Sequence, residues 1–124
     1  MILIFLSCQE HNKTSENQPD AVRDLLIDRS FWKTKSVENA QNKLTNIHRF
    51  TITNTSHQYA YRTIKVRFDY YDRDHRKIDE SIRVLERTVE PRAAIKIDSV
   101  EAGSAKDATI TATATIVNAS TVSN

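Results

Sequence analysis

The chain has 124 residues, 39% of them apolar, with one Gly, two Pro and one Cys, which is the size of one domain with enough apolar surface for one core. Lys and Arg outnumber Asp and Glu by 18 to 16, and the two signs are interspersed rather than clustered as in a nucleic-acid-binding protein. A single Gly excludes most phosphate-cradling loops, and no run approaches the roughly 18 to 20 apolar residues that a membrane-spanning helix needs.

Met1 to Leu6 is wholly apolar, Ser7 is small and Cys8 follows at once, ahead of the polar stretch "QEHNKTSENQ". "FLSC" resembles the end of a bacterial lipoprotein leader, in which apolar and then small residues precede the cysteine that is lipidated and becomes N-terminal. Phe5 and Leu6 depart from that pattern, while Ser7 and Cys8 match it. A complete leader carries a basic segment and about 7 to 15 apolar residues. Residues 1–7 therefore read as the remnant of a leader, Cys8 as its lipidation site and 8–18 as a flexible tether. The alternative is a free cysteine beside an apolar first strand. A lipid would anchor the chain to a membrane without spanning it.

Residues 19–124 then read as one domain. Pro19, Asp20 and the apolar Ala21, Val22, Leu25 and Leu26 suit one short helix, although Leu25 to Ile27 equally suit the start of a strand. "FWKTKSVE" reads as the first strand of the main sheet. Beyond it the period is two. His48, Phe50 and Ile52 share one face, with Arg49, Thr51 and Thr53 on the other. "NTS" at Asn54 to Ser56 is a turn signal. In "YRTIKVRFDYYD" Ile64, Val66, Phe68 and Tyr70 point one way, and Lys65, Arg67 and Asp69 the other. Asp72 to Arg76 turns, and the next strand has Ile78, Ile82 and Val84 in phase. Leu85 and Val89 break that phase, which predicts a bulge or a strand changing sheets. Ile95 and Ile97 alternate with Lys96 and Asp98. Ile110, Ala112, Ala114 and Ile116 point inward from a threonine-rich last strand. Short strands with turns every 8 to 13 residues predict an all-β, immunoglobulin-like antiparallel β-sandwich of about seven strands.

"FDYYD", Phe68 to Asp72, resembles the Phe-x-Leu-Tyr-Asp signature of FxLYD domains, with Tyr70 in place of the leucine. The preceding "NTS" turn and the following "EPRAAIKID" are similar to the surroundings of that signature, and the resemblance covers roughly residues 43–99. It implies an immunoglobulin-like domain of a bacterial cell-envelope lipoprotein and supplies no catalytic residues. "Asp98-Ser99-Val100" also resembles the acceptor of Bacteroidota O-glycosylation.

Catalytic and metal chemistry is thin. The Asp72-Arg73-Asp74 turn begins like a calcium loop, but Arg76, Lys77 and Arg83 stand where such a loop needs an oxygen ligand, Gly and Glu. His11, His48, His57 and His75 have no zinc-site spacing, although His57 and His75 both lie in loops. No serine sits in a Gly-flanked elbow. The expectation is a non-enzymatic envelope lipoprotein without cofactor, periplasmic or surface-exposed. It would act as an interaction, adhesion or structural module toward an envelope protein or glycan and would bind no nucleic acid. Its expected partner surface is Arg67, Tyr71, Arg73, Arg76 and Arg83, since Arg and aromatic side chains favour interfaces. The second expectation is a small periplasmic ligand- or metal-binding protein.

Overall fold

The computed structural model describes residues 18–38 and 43–122. The expected leader remnant, the lipidation at Cys8 and the tether other than Gln18 lie outside the described residues. One helical turn, α1 (Ala21–Asp24), precedes six strands: β1 (Leu25–Ser36), β2 (Leu44–Asn54), β3 (Tyr61–Tyr71), β4 (Lys77–Leu85), β5 (Ala94–Ser104) and β6 (Thr111–Thr121). They form two antiparallel three-stranded sheets, sheet A in the order β1-β2-β5 and sheet B in the order β4-β3-β6.

The chain is an all-β antiparallel sandwich. Its strand order corresponds to strands A-B-E and C′-C-F of an immunoglobulin-type sandwich. Where about seven strands were expected, six are formed among the described residues, and the position beside β6 that a G strand takes is empty among them.

The two middle strands carry the core. Phe50 and Ile52 of β2 and Tyr61, Ile64, Val66, Phe68 and Tyr70 of β3 are all essentially inaccessible to solvent, and each such side chain contributes about 1.5–3 kcal/mol by burial. The Phe50 and Phe68 ring centroids are 6.0 Å apart, and the His48 ring stacks on Phe68 at 3.9 Å. Ile97, Val100 and Ala102 of β5 and Ile116 of β6 close the core on either side.

The structure decides one local alternative, in favour of a strand from Leu25 after one short helix, and corrects two expectations, the face of β4 and the place of Ile110. The N-terminal helix stops after one turn, because Leu25 adopts an extended backbone and pairs with Asn54. Ladder pairing with β2 overrides the helical spacing, so Ala21 and Leu25 are buried while Val22 and Leu26 are exposed. In β4 the face is reversed. Phe68 pairs with Ser81 and Val66 with Arg83, so Ser81 and Arg83 share the inward face. Ile82 and Val84 instead stand outside, 43% and 47% exposed. Ile78 is the extra residue between the Asp79 and Lys77 pairings, a bulge that resets the alternation and leaves Ile78 partly buried against the core. Likewise Ile110 precedes β6 and is exposed, whereas Ala112, Ala114 and Ile116 do face inward beside Tyr70, Phe68 and Val66. Beyond β4 the chain changes sheets, with Val89 forming a lone bridge to Tyr61 on the way.

Candidate functional site

The hairpin surface read from the sequence does not assemble as one patch. Asp72 organises the turn by accepting from the Asp74 and Arg76 backbone N–H groups at 2.9 and 3.0 Å. Those bonds, led by that of Arg76, hold its carboxyl below the usual range. Arg76 is tied to Asp74 at 2.9 Å and lies 3.7 Å from Asp72. Arg73 shares this turn, and Tyr71 ends β3 half-buried. Arg67 lies on the outer face of sheet B, where its Nε donates to Asp69 at 3.1 Å. Lys77 completes that pair from 3.0 Å and also reaches Glu80. Arg83 belongs to the other face, since it pairs with buried Val66. It reaches across to sheet A, where its Nε donates to the Glu101 carbonyl at 3.0 Å. The expected arginines are thus divided between two faces, and Arg67, Arg76 and Arg83 are engaged within the protein.

A different surface gathers cations. On the outer face of sheet A, β2 runs between two bulged neighbours. Along β1, Arg29 and Ser30 together face Phe50, between the Asp28–Thr51 and Phe31–Arg49 pairs. Along β5, Asp98 and Ser99 together face Arg49, between the Phe50–Ile97 and His48–Val100 pairs. Arg29 takes a left-handed φ of 51° to make its bulge, a conformation that costs a non-glycine residue about 1 kcal/mol or more. Paired bulges at one level twist both flanking strands away and open the sheet surface.

The opening is a groove of about 300 Å³ lined by Phe31, Trp32, Lys33, Lys35, Ile47, Arg49, Asp98, Ser99 and Glu101. A second hollow of about 280 Å³ continues past Phe31 and Arg49 to Arg29 and Lys96. Ile47 is buried although it belongs to the outer face, between its neighbours Lys33 and Glu101, and forms an apolar floor. Phe31 is 58% exposed, and the Arg49 guanidinium lies over its ring, 4.9 Å from the centroid. Five cations (Arg29, Lys33, Lys35, Arg49 and Lys96) thus line the two hollows against two acids, Asp98 and Glu101. Among the described residues the only ion pair there joins Lys96 to Asp98, at 3.8 Å.

Two polar clusters sit beneath these surfaces. His48 Nε2 and Tyr70 Oη are 2.8 Å apart, and Tyr70 Oη and Ser81 Oγ 3.1 Å. Burial alone lowers the His48 pKa to about 4, and burial, foremost, raises that of Tyr70 against the Ser81 hydrogen bond, which lowers it. At the other end, Tyr61 Oη donates to Asp24 Oδ2 at 2.5 Å and accepts from the Asp20 N–H at 3.0 Å. Arg23 Nε donates to Asp24 Oδ1 at 2.7 Å. That bond, foremost, lowers the Asp24 pKa, while burial and then the Asp24 bond push Tyr61 up to about 12. Both clusters join one sheet or its flanking helix to the other, as buried, satisfied polar groups do.

The histidines stay apart. His57 lies before β3 and His75 after it, so the length of β3, about 30 Å at strand spacing, separates them. Among the described residues no three His, Cys, Asp or Glu side chains gather as metal ligands. Only "KTK" in β1 hinted at the groove from sequence. Its other cations come from β2 and β5, and nothing in their local pattern signals the register that collects them.

No family model matches the chain, and no curated protein does. Among solved structures it is similar to one described as the X-ray structure of Northeast Structural Genomics Consortium target SoR45. That likeness has a TM-score of 0.45 at 10% identity, over 85% of this chain and 90% of that one.

Proposed function

We propose that this protein is a non-enzymatic interaction module of the FxLYD type, held at a bacterial cell envelope through Cys8, and that the outer face of sheet A is its contact surface for an acidic glycan. The observation that carries the reading is the bulged groove, where an exposed aromatic ring, an apolar floor and five cations converge. Aromatic rings stack on the apolar faces of sugar rings. A guanidinium beside the ring supplies the planar donors that pair with carboxylate. The Arg49–Phe31 contact holds that donor in place before any ligand arrives, which lowers the ordering cost of binding.

The test is titration calorimetry of the full chain with a polyuronate and with an uncharged glucan. Binding to the polyuronate, weakened by salt and reduced about tenfold or more by Arg49→Ala, supports the reading. Equal binding of the two polymers, or polyuronate binding that Arg49→Ala and Phe31→Ala leave unchanged, overturns it. Lipidation is tested separately: intact-mass spectrometry of the native protein that finds unmodified Cys8 refutes the anchor.

A further inference from the structure

The two hollows on the outer face of sheet A share a wall and differ in charge. Phe31 and Arg49 line both. In the hollow of about 280 Å³ three cations, Arg29, Arg49 and Lys96, surround Thr51, and among the described residues no acid lines it. In the hollow of about 300 Å³ Lys33 and Lys35 are matched by Asp98 and Glu101 around the apolar floor of Ile47. The first hollow concentrates positive potential and suits an anion. The second is balanced in charge, with ammonium donors, carboxylate acceptors and an apolar surface close together.

Register explains the division. Thr51 pairs with Asp28 on one side and with Lys96 on the other, and Arg49 follows two residues away on the same face of β2. The bulge between the Asp28–Thr51 and Phe31–Arg49 pairs inserts Arg29 at this level, at its left-handed φ of 51°. The neighbouring acids are Asp28 and Asp98. Asp28 is exposed and does not line the hollow. Asp98 meets Lys96 at 3.8 Å with both side chains largely exposed, so the contact is weak and Lys96 can exchange it for a ligand. Beyond the Phe31–Arg49 wall, Ile47 pairs with Lys33 and with Glu101, which sets one cation and one acid across the floor.

We infer that the glycan of this face is a mixed one: an acid sugar whose carboxylate sits among Arg29, Arg49 and Lys96, linked to a neutral sugar that lies over Ile47. Such a uronate–hexose unit is a narrower form of the acidic glycan proposed above and rests on that reading. The guanidinium groups of Arg29 and Arg49 offer paired N–H donors that match a carboxylate, and Lys96 adds a third charge. Hydroxyl groups of the neighbouring ring donate to Asp98 and Glu101 and accept from Lys33 and Lys35, while its apolar face covers Ile47. A second carboxylate in that place gains no net attraction from two lysines balanced by two acids. Repulsion by Asp98 and Glu101 selects against it.

The test is NMR titration of the full chain, which reads weak affinities, with three disaccharides of one linkage: a uronate joined to a neutral hexose, a diuronate and the neutral dihexose. The uronate–hexose unit is expected to bind about tenfold more tightly than either of the others. Lys96→Gln and Arg29→Asn each remove a cation, asparagine being a residue that accepts the left-handed backbone. Each is expected to weaken the uronate–hexose unit about tenfold while leaving the dihexose unchanged. Glu101→Gln removes an acid without touching the backbone carbonyl to which Arg83 donates, and is expected to raise diuronate affinity several-fold. All three side chains are exposed, and the amide spectrum of each variant reports its fold. Diuronate binding as tight as that of the uronate–hexose unit overturns the inference and leaves the acidic-glycan reading standing. So does a Glu101→Gln variant with unchanged preference, or a cation variant that weakens the dihexose as much as the uronate–hexose unit. Polyuronate binding in the calorimeter without binding of the uronate–hexose unit likewise overturns the mixed unit alone. Failure of polyuronate and of both acidic disaccharides to bind overturns both.

Discussion

The outer faces of the two sheets use similar residues to opposite ends. On sheet B, Arg67, Asp69, Lys77 and Glu80 neutralise one another in a chain of contacts, beside Ile82, Val84 and short threonines. On sheet A, Arg29, Lys33, Lys35 and Arg49 make no ion pair among the described residues and surround a hollow. Charge content does not separate the faces. What separates them is register: on sheet B, Arg67 lies two residues from Asp69 on β3 and the bulge at Ile78 brings Lys77 to the facing acids Asp69 and Glu80, while bulges on both sides of β2 part the strands and leave the cations unmatched. A paired face contributes modestly to stability, and an unmatched one has its charges available to a partner.

The comparison is sharpened first from beneath both faces, where the largest effect is expected. His48 of sheet A meets Tyr70 of sheet B, and burial lowers its pKa from 6.5 to about 4. Below pH 6.5 the unfolded chain takes up a proton that the folded imidazole refuses. Stability is therefore constant for this group above pH 6.5 and falls as the pH drops toward 4, by roughly 3 kcal/mol in all. Denaturant titrations at pH 7 and pH 4.5 should show this loss in the wild type and much less of it in His48→Gln. Equal losses in the two proteins would refute the assignment, and an NMR titration of the imidazole checks it without any substitution.

Next in size is the paired face. Arg67→Ala removes one of the two cations on Asp69, which is nearly inaccessible, and leaves Lys77 in place. Because Arg67 itself is partly exposed, the expected loss is about 1 kcal/mol, read from the denaturant midpoint, with polyuronate binding unaffected. Smallest in stability is Arg49→Ala. Its expected effect is about 0.5 kcal/mol or less, although it weakens glycan binding. If Arg49→Ala destabilises the fold more than Arg67→Ala does, the distinction between a paired and an available face fails.

What the sequence revealed follows the same division. β3 was legible because Ile64, Val66, Phe68 and Tyr70 alternate without interruption in a central strand, where burial and pattern coincide. The buried, hydrogen-bonded His48 could be read from its place in phase with Phe50 and Ile52. β4 misled because it is an edge strand: a bulge at Ile78 shifts its register, and the long stem of Arg83 covers ground that an aliphatic side chain would otherwise occupy. The groove was illegible for a related reason. Lys33, Arg49 and Lys96 are far apart in sequence, and the two bulges that bring them together depend on pairing between strands, which no local pattern encodes.

The clasp at Tyr61 gives the molecule a mechanical character. Asp24 and Asp20 fasten the start of the domain to the first residue of β3, the central strand of the opposite sheet. Asp24 also accepts from the Thr55 N–H at 2.8 Å, just beyond β2. A pull on the chain ahead of α1 therefore does not begin by unzipping β1 from β2 one hydrogen bond at a time. It loads the clasp first, several short polar bonds acting together, and these hand the force to the middle strands of both sheets. The point where the chain enters the domain is thus reinforced against tension, and the outer faces are insulated from it.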